Sequence, residues 1–264
     1  MKSLDELMQT ARLPVMPEVA LTLVASFASE TLDITYMRHV ISKDPALTAS
    51  VLRLANSPIY GLSRSVNSLD AAISILGISK VRTQAIAVCL SNAIELPRGM
   101  SRESFWSRSM CCAGYAMWLA LAVGLDENEA WLTGIMLHLG EVLIGQMQTP
   151  LPAPAVPPDA RWQAERAQFG FDEGQVMAEA ARRWYFPAEI VQALRDCAQP
   201  LEVTPFSPLA VVLHLAATLS EAGQGDDAIL QAMPPELVAR LGIDIEWIAQ
   251  YLPDPASFTD RSML

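Results

Sequence analysis

Helix start signals recur along this sequence, and they constrain its fold more than any other feature. Proline stands at an expected first helical position in Asp44-Pro45, Ser207-Pro208 and the Pro17-Glu18 pair. Proline is tolerated there because the first backbone N–H of a helix has no partner within the helix. Asp44 and Ser207 can also act as caps, since their side-chain oxygens accept hydrogen bonds from the next free N–H groups. We therefore predict that helices begin at these three places.

Other residues mark further helix ends. Asp126 with Glu129, and Asp172 with Gln175, have the spacing of a reciprocal capping box. Gly77 lies where a left-handed C-terminal cap would end a helix. Apolar residues recur at helical spacing between these signals, and no stretch alternates in the manner of a hairpin strand. The sequence predicts an all-α fold of roughly a dozen helices.

The charge of the chain limits its ligands. It has 29 acidic and 18 basic side chains and a net charge of -11. This charge opposes binding to DNA, RNA or an anionic membrane, all of which require clustered positive charge. Two basic pairs, Lys80 with Arg82 and Arg182 with Arg183, are predicted to lie on solvated helix faces. We therefore predict that nucleic acid is not a partner.

Cysteine usage and apolar runs bear on location. The four cysteines, including the vicinal Cys111-Cys112, lack the spacing of a disulfide framework and are predicted to be reduced core thiols. The first residues, Met1 to Glu6, have no apolar signal region. The longest apolar run, Met110 to Leu125, is shorter than the ~20 residues that span a bilayer. We predict a cytoplasmic location without membrane insertion.

The stretch His138-Leu139-Gly140 has the form of an H-D-x-G metal motif in which leucine occupies the carboxylate position. An HD phosphohydrolase would place His-Asp in this helix, predicted here over Leu132 to Glu141. Several N and O ligands must hold a catalytic cation while one position stays open to water. Leucine donates no electron pair. We predict that the fold is kept and that the catalysis is lost.

Four further segments form an ordered series upstream: Leu13-Pro14-Val15-Met16-Pro17, Ile41-Ser42-Lys43-Asp44-Pro45, Leu52-Arg53-Leu54-Ala55-Asn56-Ser57-Pro58 and Ala71-Ala72-Ile73-Ser74-Ile75-Leu76-Gly77. The series resembles the HDOD family, the HD-related output domains of bacterial signalling proteins, from about Leu13 to about Ala222. The resemblance implies an all-helical fold and a signalling role, usually without demonstrated catalysis.

The resemblance also locates positions where HD hydrolases carry metal ligands. The first histidine of the family corresponds to Arg108, an Asp-His pair to Asp172-Glu173, a His-His pair to Cys197-Ala198, and the final aspartate to Ala217. Among these positions, only His138 keeps its ligand. Because one imidazole cannot hold a catalytic metal, we predict no catalytic residue, no metal and no cofactor.

The chain is predicted to have three parts. They are an N-terminal helical lobe over residues 1–99, an HD-like helical bundle over 100–225, and a helical tail over 226–264. A soft boundary falls near Pro97-Arg98-Gly99. The tail is predicted to contain helices over Pro235 to Leu241 and Asp244 to Tyr251. The proline-rich segment from Pro150 to Pro158 excludes helix and favours an extended connector.

Candidate site residues fall into two groups. The first group, which we call the remnant cleft, could contact a ligand and comprises Arg108, His138, Glu141 and Glu173. The second group carries the family motif and is predicted to be mainly structural: Asp44, Pro45, Arg53, Asn56, Ser57 and Gly77. A binding role for Arg53, Asn56 and Ser57 is the alternative. The other two histidines, His39 and His214, are predicted to be hydrogen-bonded core residues.

Two functions of different class follow from these residues. The favoured one is a non-catalytic module that acts through protein–protein interaction in bacterial signal transduction, with a signalling protein as its partner. The alternative is a catalytically dead HD-type domain that binds a small nucleotide or another phosphorylated ligand in the remnant cleft, where Arg108 could attract the phosphate. A metal-dependent hydrolase ranks third.

Overall fold

In a computed structural model, the described residues are 13–29, 32–146, 158–222 and 233–258, together with Leu4, Glu6 and Met8. These residues form helices and connecting turns, with no strand among them. The prediction of an all-α fold is confirmed. Apart from Pro158, the predicted proline-rich connector lies outside the described residues.

The described chain divides into two compact units. The N-terminal unit, residues 14–95 with 184–187, contains α1 (Glu18–Ala25), α2 (Ile34–Ile41), α3 (Pro45–Ala55), α4 (Leu69–Leu76) and α5 (Ile78–Ala93). The C-terminal unit contains α6 (Arg102–Ala122), α7 (Glu127–Leu137), α8 (Leu139–Gly145), α9 (Pro158–Phe169), α10 (Glu173–Arg183), α11 (Ala188–Asp196), α12 (Pro208–Glu221), α13 (Pro235–Arg240) and α14 (Ile245–Tyr251).

The division falls at Leu96, beside the boundary predicted near Pro97. Helices α13 and α14 occupy nearly the same residues as the two predicted tail helices, and they belong to the C-terminal unit. As predicted, Asp244 caps α14, because its Oδ1 accepts a hydrogen bond from the N–H of Glu246 at 2.9 Å. Within the C-terminal unit, α6 lies between α7 and α12 and forms the centre of the helical packing.

Capping residues determine where several of these helices begin. Asp44 accepts hydrogen bonds from two backbone N–H groups in the first turn of α3, at 2.8 and 3.2 Å, and Pro45 is the first helical residue. Ser207 accepts one such bond at 3.2 Å before Pro208 begins α12. Pro17 departs from the prediction. Its backbone is extended (φ -56°, ψ 147°), so it precedes α1 as the cap residue and α1 begins one residue later.

The reciprocal capping box predicted for α10 is present. The N–H of Gln175 donates to Oδ1 of Asp172 at 2.9 Å, and the N–H of Asp172 donates to Oε1 of Gln175 at 3.1 Å. At α7, Asp126 accepts from the N–H of Glu129 at 2.9 Å. These local contacts fix the start of α10, whose first residue, Glu173, belongs to the remnant cleft.

Gly77 joins α4 to α5 in a backbone conformation that differs from the predicted left-handed cap. Its φ of 84° is positive, but its ψ of 151° places it in an extended region that essentially only glycine adopts. A Cβ atom added there would meet nothing within 4 Å. The backbone angles therefore require glycine at this position, whereas the surrounding space does not.

The two basic pairs have different environments. Arg82 is buried, and its guanidinium lies 3.8 Å from the ring centroid of Phe27. The prediction of a solvated face is therefore wrong for Arg82. Arg182 and Arg183 both form ion pairs with Glu179, at 2.7 and 2.9 Å, and Arg182 is exposed as predicted. These three positive charges already have partners within the chain.

The four cysteines are free and buried, as predicted. Burial raises the pKa of Cys89 to about 11, which keeps this thiol protonated and unreactive at neutral pH. The predicted apolar run lies mainly in α6, where Cys111, Cys112 and Tyr115 are buried. Among the described helices, none is both long and apolar enough to cross a bilayer by itself. Helices α4 and α5, which meet at an angle of 108°, have the required length and apolar composition only when they are taken together.

Candidate functional site: a buried ion cluster beside His138

His138 lies at a break between two helices, so the prediction of one helix through this motif is wrong. Helix α7 ends at Leu137 and α8 begins at Leu139. Gly140 has a packing role, because a Cβ atom there would clash with the backbone carbonyl of Glu173. The absence of a side chain therefore lets α8 approach the start of α10. This approach brings His138 close to Glu173.

The structure brings the four remnant-cleft residues together. The guanidinium of Arg108 is ion-paired with the carboxylate of Glu141. Nδ1 of His138 lies 3.4 Å from Oε2 of Glu173, and both side chains are fully buried. Arg108 is also near enough to Glu173 to help lower the pKa of that carboxyl. These four side chains are therefore neighbours in the folded chain.

A second arginine, which the sequence reasoning missed, lies at the centre of this region. Arg161 on α9 is only 1% exposed. Its guanidinium contacts Oε1 of Glu173 at 2.5 Å and forms a second ion pair with Glu221 at the end of α12. Nε2 of His138 lies 3.8 Å from Oε1 of the same Glu221. One buried cation therefore bridges two buried carboxylates beside the motif histidine.

Two more residues of α9 complete this arrangement. The indole N–H of Trp162 donates to Oε1 of Glu173 at 2.9 Å. Glu165 accepts a hydrogen bond from the backbone N–H of Glu173 at 2.8 Å, and its other oxygen lies 3.8 Å from Nε of Arg161. We call Arg161, Glu165, Glu173 and Glu221 the buried ion cluster.

Burial and charge act in opposite directions within the cluster. Burial by itself would raise the pKa of Glu173, but the adjacent Arg161 and His138 together hold it well below its usual range. The two carboxylates likewise outweigh the burial of Arg161 and raise its pKa above the ordinary value. Burial and the negative charge of Glu173 raise the pKa of Glu165 to about 9. Glu165 is therefore protonated at neutral pH while Glu173 is ionised.

Sequence spacing contains a weak signal for these missed residues. Arg161 and Glu165 are four positions apart and therefore share one face of α9. Glu221 lies four residues beyond Ala217, the position that corresponds to the final aspartate of the family. A carboxylate is thus present one helical turn further along α12. Neither pattern belongs to a known motif, so the sequence alone does not distinguish these residues from others on the same helices.

The remaining predicted positions have separate environments. Cys197 is buried, and its backbone carbonyl contacts Nδ1 of His214 at 2.7 Å. The prediction of a hydrogen-bonded core histidine is confirmed for His214, whereas it is wrong for His39, which is exposed on α2. Within the ranges described above, no group of three or more His, Cys, Asp or Glu side chains is arranged to hold a metal ion.

The Asn-Ser-Pro corner lies in the N-terminal unit, at the end of α3. The side chain of Asn56 donates to the carbonyls of Leu52 and Val66 at 2.7 and 2.8 Å. Its Oδ1 accepts from the N–H of Val66 at 2.7 Å and from the hydroxyl of Ser65. Asn56 thus joins the helix end to the loop that follows it.

Ser57 and Arg53, the other two residues with a predicted binding alternative, contribute differently from Asn56. Among the described residues, no hydrogen-bond partner is found for the buried hydroxyl of Ser57. Arg53 is exposed on α3. The hydrogen bonds of Asn56 close the corner.

We expect Asn56→Ala to lower the free energy of unfolding by about 1–3 kcal/mol, because its several hydrogen bonds to the loop are lost together. Ser57→Ala is the matched control and should change stability by less than about 0.5 kcal/mol, since its hydroxyl has no bond to lose. Denaturant unfolding of both variants checks the difference. Equal effects, or an unchanged Asn56→Ala, would contradict the structural role.

Comparison with known proteins places this chain in a family. Residues 13–200 match the HDOD domain family. A structure from Shewanella amazonensis SB2B, named a putative phosphohydrolase, has 26% sequence identity and a TM-score of 0.76, with 97% of this chain and 95% of that chain covered. An HDOD domain protein of unknown function from Geobacter sulfurreducens has 21% identity and a TM-score of 0.68, with coverage of 95% and 97%.

Two other relatives are longer than this chain. A putative signal transduction protein from Marinobacter aquaeolei VT8 has 22% identity and a TM-score of 0.71, with 97% of this chain and 59% of that chain covered. An uncharacterized protein from Treponema pallidum (strain Nichols) is 20% identical over 194 residues, or 69% of this chain. The chain spans only 37% of the length of that curated relative. From the family match and the helical fold together, we conclude that the chain belongs to the HDOD domain family.

Proposed function

We propose that this chain is a non-catalytic HDOD signalling module that acts by binding another protein. The observation that carries the proposal is the position of the Arg161 guanidinium, which contacts Glu173 and Glu221 beside His138. A hydrolytic metal would need those carboxylates and that imidazole as ligands. The guanidinium already supplies the positive charge that the carboxylates require in a buried setting.

The types of residue at the family positions support the same proposal. Leu139 and Ala217 stand where the family places carboxylates, and neither side chain donates an electron pair. Both residues are fully buried. The signalling part of the proposal rests on the family and on the name of the longer Marinobacter relative.

The alternative ligand is a small nucleotide or another phosphorylated molecule in the remnant cleft. There, the Arg108 guanidinium is already paired with Glu141, whose side chain is largely buried. A phosphate would therefore have to displace a carboxylate that has few other partners for its charge. This competition is the reason that a protein partner comes first in the proposal.

The absence of a catalytic metal can be tested by elemental analysis. After incubation with Mn²⁺, Fe²⁺ or Zn²⁺ and removal of excess ion, we expect far less than one metal ion per chain, because the candidate ligands already bind Arg161. His138→Ala is the matched variant and should give the same low value. About one ion per chain in the wild type, lost in His138→Ala, would restore the enzyme interpretation.

Partner binding can be tested by crosslinking in the native cell followed by affinity capture. Ile59, directly after the corner, is an apolar side chain that is 65% exposed, and Ile59→Ser should reduce recovery of a specific protein. Leu121→Ser, at an equally exposed residue of α6, is the control. Recovery of a nucleotide without any protein would favour the alternative. Equal loss in both variants would indicate non-specific apolar adhesion.

A further inference from the structure

A concave site lies in the C-terminal unit, at residues other than those of the remnant cleft. It is a cavity of about 540 Å³ between α9, the turn that follows α11, and the helices α12 and α13. Its polar wall consists of Asp159, Gln163, Arg166, Gln199, Glu202 and His214. The volume is within the usual range for a small-molecule site, which is roughly 300–1,000 Å³.

His214 lines this cavity and has a buried ring nitrogen, Nε2, for which no hydrogen-bond partner is found among the described residues. The side chain is buried, and the residue is only 4% exposed. Its Nδ1 lies 2.7 Å from the carbonyl oxygen of Cys197. Because a carbonyl can only accept, Nδ1 carries the proton of the neutral ring and Nε2 keeps a lone pair. Burial lowers the pKa of His214 despite the opposing effect of Asp159, which favours this neutral form.

The lone pair of Nε2 faces a second acceptor. Oδ1 of Asp159 lies 3.6 Å from Nε2 of His214, and Asp159 is 40% exposed. Nε2 has no hydrogen-bond partner among the residues that the structure describes. Two acceptors at this separation repel each other unless a donor lies between them or near both. A buried acceptor without a partner also destabilises the protein, so this pair favours a ligand that brings N–H groups.

The opposite wall of the cavity contains a positive charge, that of Arg166, but this charge is not available to attract an anion. The Arg166 guanidinium already contacts Asp172, with Nε 3.5 Å from Oδ2, and also donates to Gln199. Gln199 in turn donates to Glu202 at 2.8 Å. The positive charge on this wall is therefore compensated within the protein. The carboxylate of Asp159 and the overall charge of -11 favour a cation instead.

We propose that this cavity binds a small organic cation, one with a primary ammonium or an amidinium group. One N–H of that group would donate to Nε2 of His214 and another would donate to the carboxylate of Asp159. The hydrocarbon part of the ligand would lie against Leu201 and Leu237, which line the apolar side of the cavity. This site does not depend on the proposed signalling role or on the loss of metal chemistry.

Calorimetric titration of the full chain with benzamidine and with agmatine tests the proposal. We expect saturable binding of at least one of these cations at millimolar or lower concentration. The neutral analogue benzamide should bind at least about tenfold more weakly, because loss of a charge-assisted hydrogen bond changes affinity by that order. Failure of both cations to bind a cooperatively folded wild type would overturn the proposal, and so would equal binding of benzamide.

Variants of the cavity wall locate the binding. Asp159→Asn keeps the shape of a side chain that is 40% exposed, so the protein should fold normally while benzamidine or agmatine affinity falls at least about tenfold. Glu202→Gln is the matched control on the opposite wall, and its affinity should stay within about threefold of the wild type. If Asp159→Asn binds the cations as well as the wild type does, the cations bind elsewhere and the assigned site is wrong.

Discussion

Arg161→Met is expected to lower the free energy of unfolding by about 3–5 kcal/mol. The substitution removes the cation that Glu173 and Glu221 share, and it leaves those carboxylates buried without compensation. Methionine has a similar length and can fill the space, so the loss reports charge more than packing. The midpoint of denaturant unfolding measures the effect.

Two further measurements separate this explanation from a general loss of packing. Arg182→Met removes an exposed arginine from the same unit and should change stability by less than about 0.5 kcal/mol. Lowering the pH should shrink the deficit of Arg161→Met, because the uncompensated carboxylates then become protonated in the folded state. A deficit below about 1 kcal/mol at neutral pH would show that the buried ion cluster does not depend on this charge.

Glu165→Gln is expected to stabilise the protein in alkaline solution and to flatten the pH dependence of its stability. The pKa of Glu165 is about 9 in the folded chain, above its ordinary value of 4.5. Folding therefore takes up a proton at any pH between these two values. The stabilising contribution of the protonated form is complete below the unfolded pKa and is lost as the pH rises towards the folded pKa.

The magnitude follows from this linkage. Wild-type stability should fall relative to Glu165→Gln by up to about 1.4 kcal/mol for each pH unit between roughly pH 5 and pH 9. Glutamine keeps an oxygen that can accept the backbone N–H of Glu173, so the neutral side chain preserves that hydrogen bond. The difference between the free energies of unfolding of the two proteins cancels the contributions of groups that do not interact with Glu165, such as His214.

Glu179→Gln provides the matched control for pH. Hydrogen bonds from Arg182 and the adjacent arginine charges lower the pKa of Glu179 to about 2, despite partial burial. Its contribution is present above the unfolded pKa and is lost only as the pH falls through the folded value. The difference between wild type and Glu179→Gln should therefore be constant from about pH 6 to pH 9. Parallel curves for wild type and Glu165→Gln would refute the raised pKa of Glu165.

Local sequence signals were sufficient to predict the helical architecture. Asp44, Ser207 and Asp172 cap their helices by contacts within three residues, and such contacts depend on few distant atoms. The same holds for the glycine that separates α4 from α5, where backbone strain selects the residue type. Pro17 was misplaced by one residue, because both the cap position and the first helical position accept the φ that its ring fixes, whereas its extended ψ of 147° places it before the helix.

The environment of charged side chains was less predictable. Arg82 belongs to a pair that the sequence suggested to be solvated, yet it is buried over an aromatic ring. His39 and His214 have similar apolar neighbours in sequence, and only His214 faces the interior. Burial depends on which face of a helix meets another helix, and a single helix sequence constrains this only through its own periodicity.

For this protein, the sequence by itself determined the helical class, the family and the loss of the expected metal ligands at Leu139 and Ala217. The tertiary structure decided which charged groups meet beside His138, because Arg161, Glu173 and Glu221 come from three separate helices. Their pairing is a long-range contact, and its strength arises from burial that only helix packing creates. Short sequence motifs record residue types at fixed spacing, whereas charge compensation between distant segments has no fixed spacing.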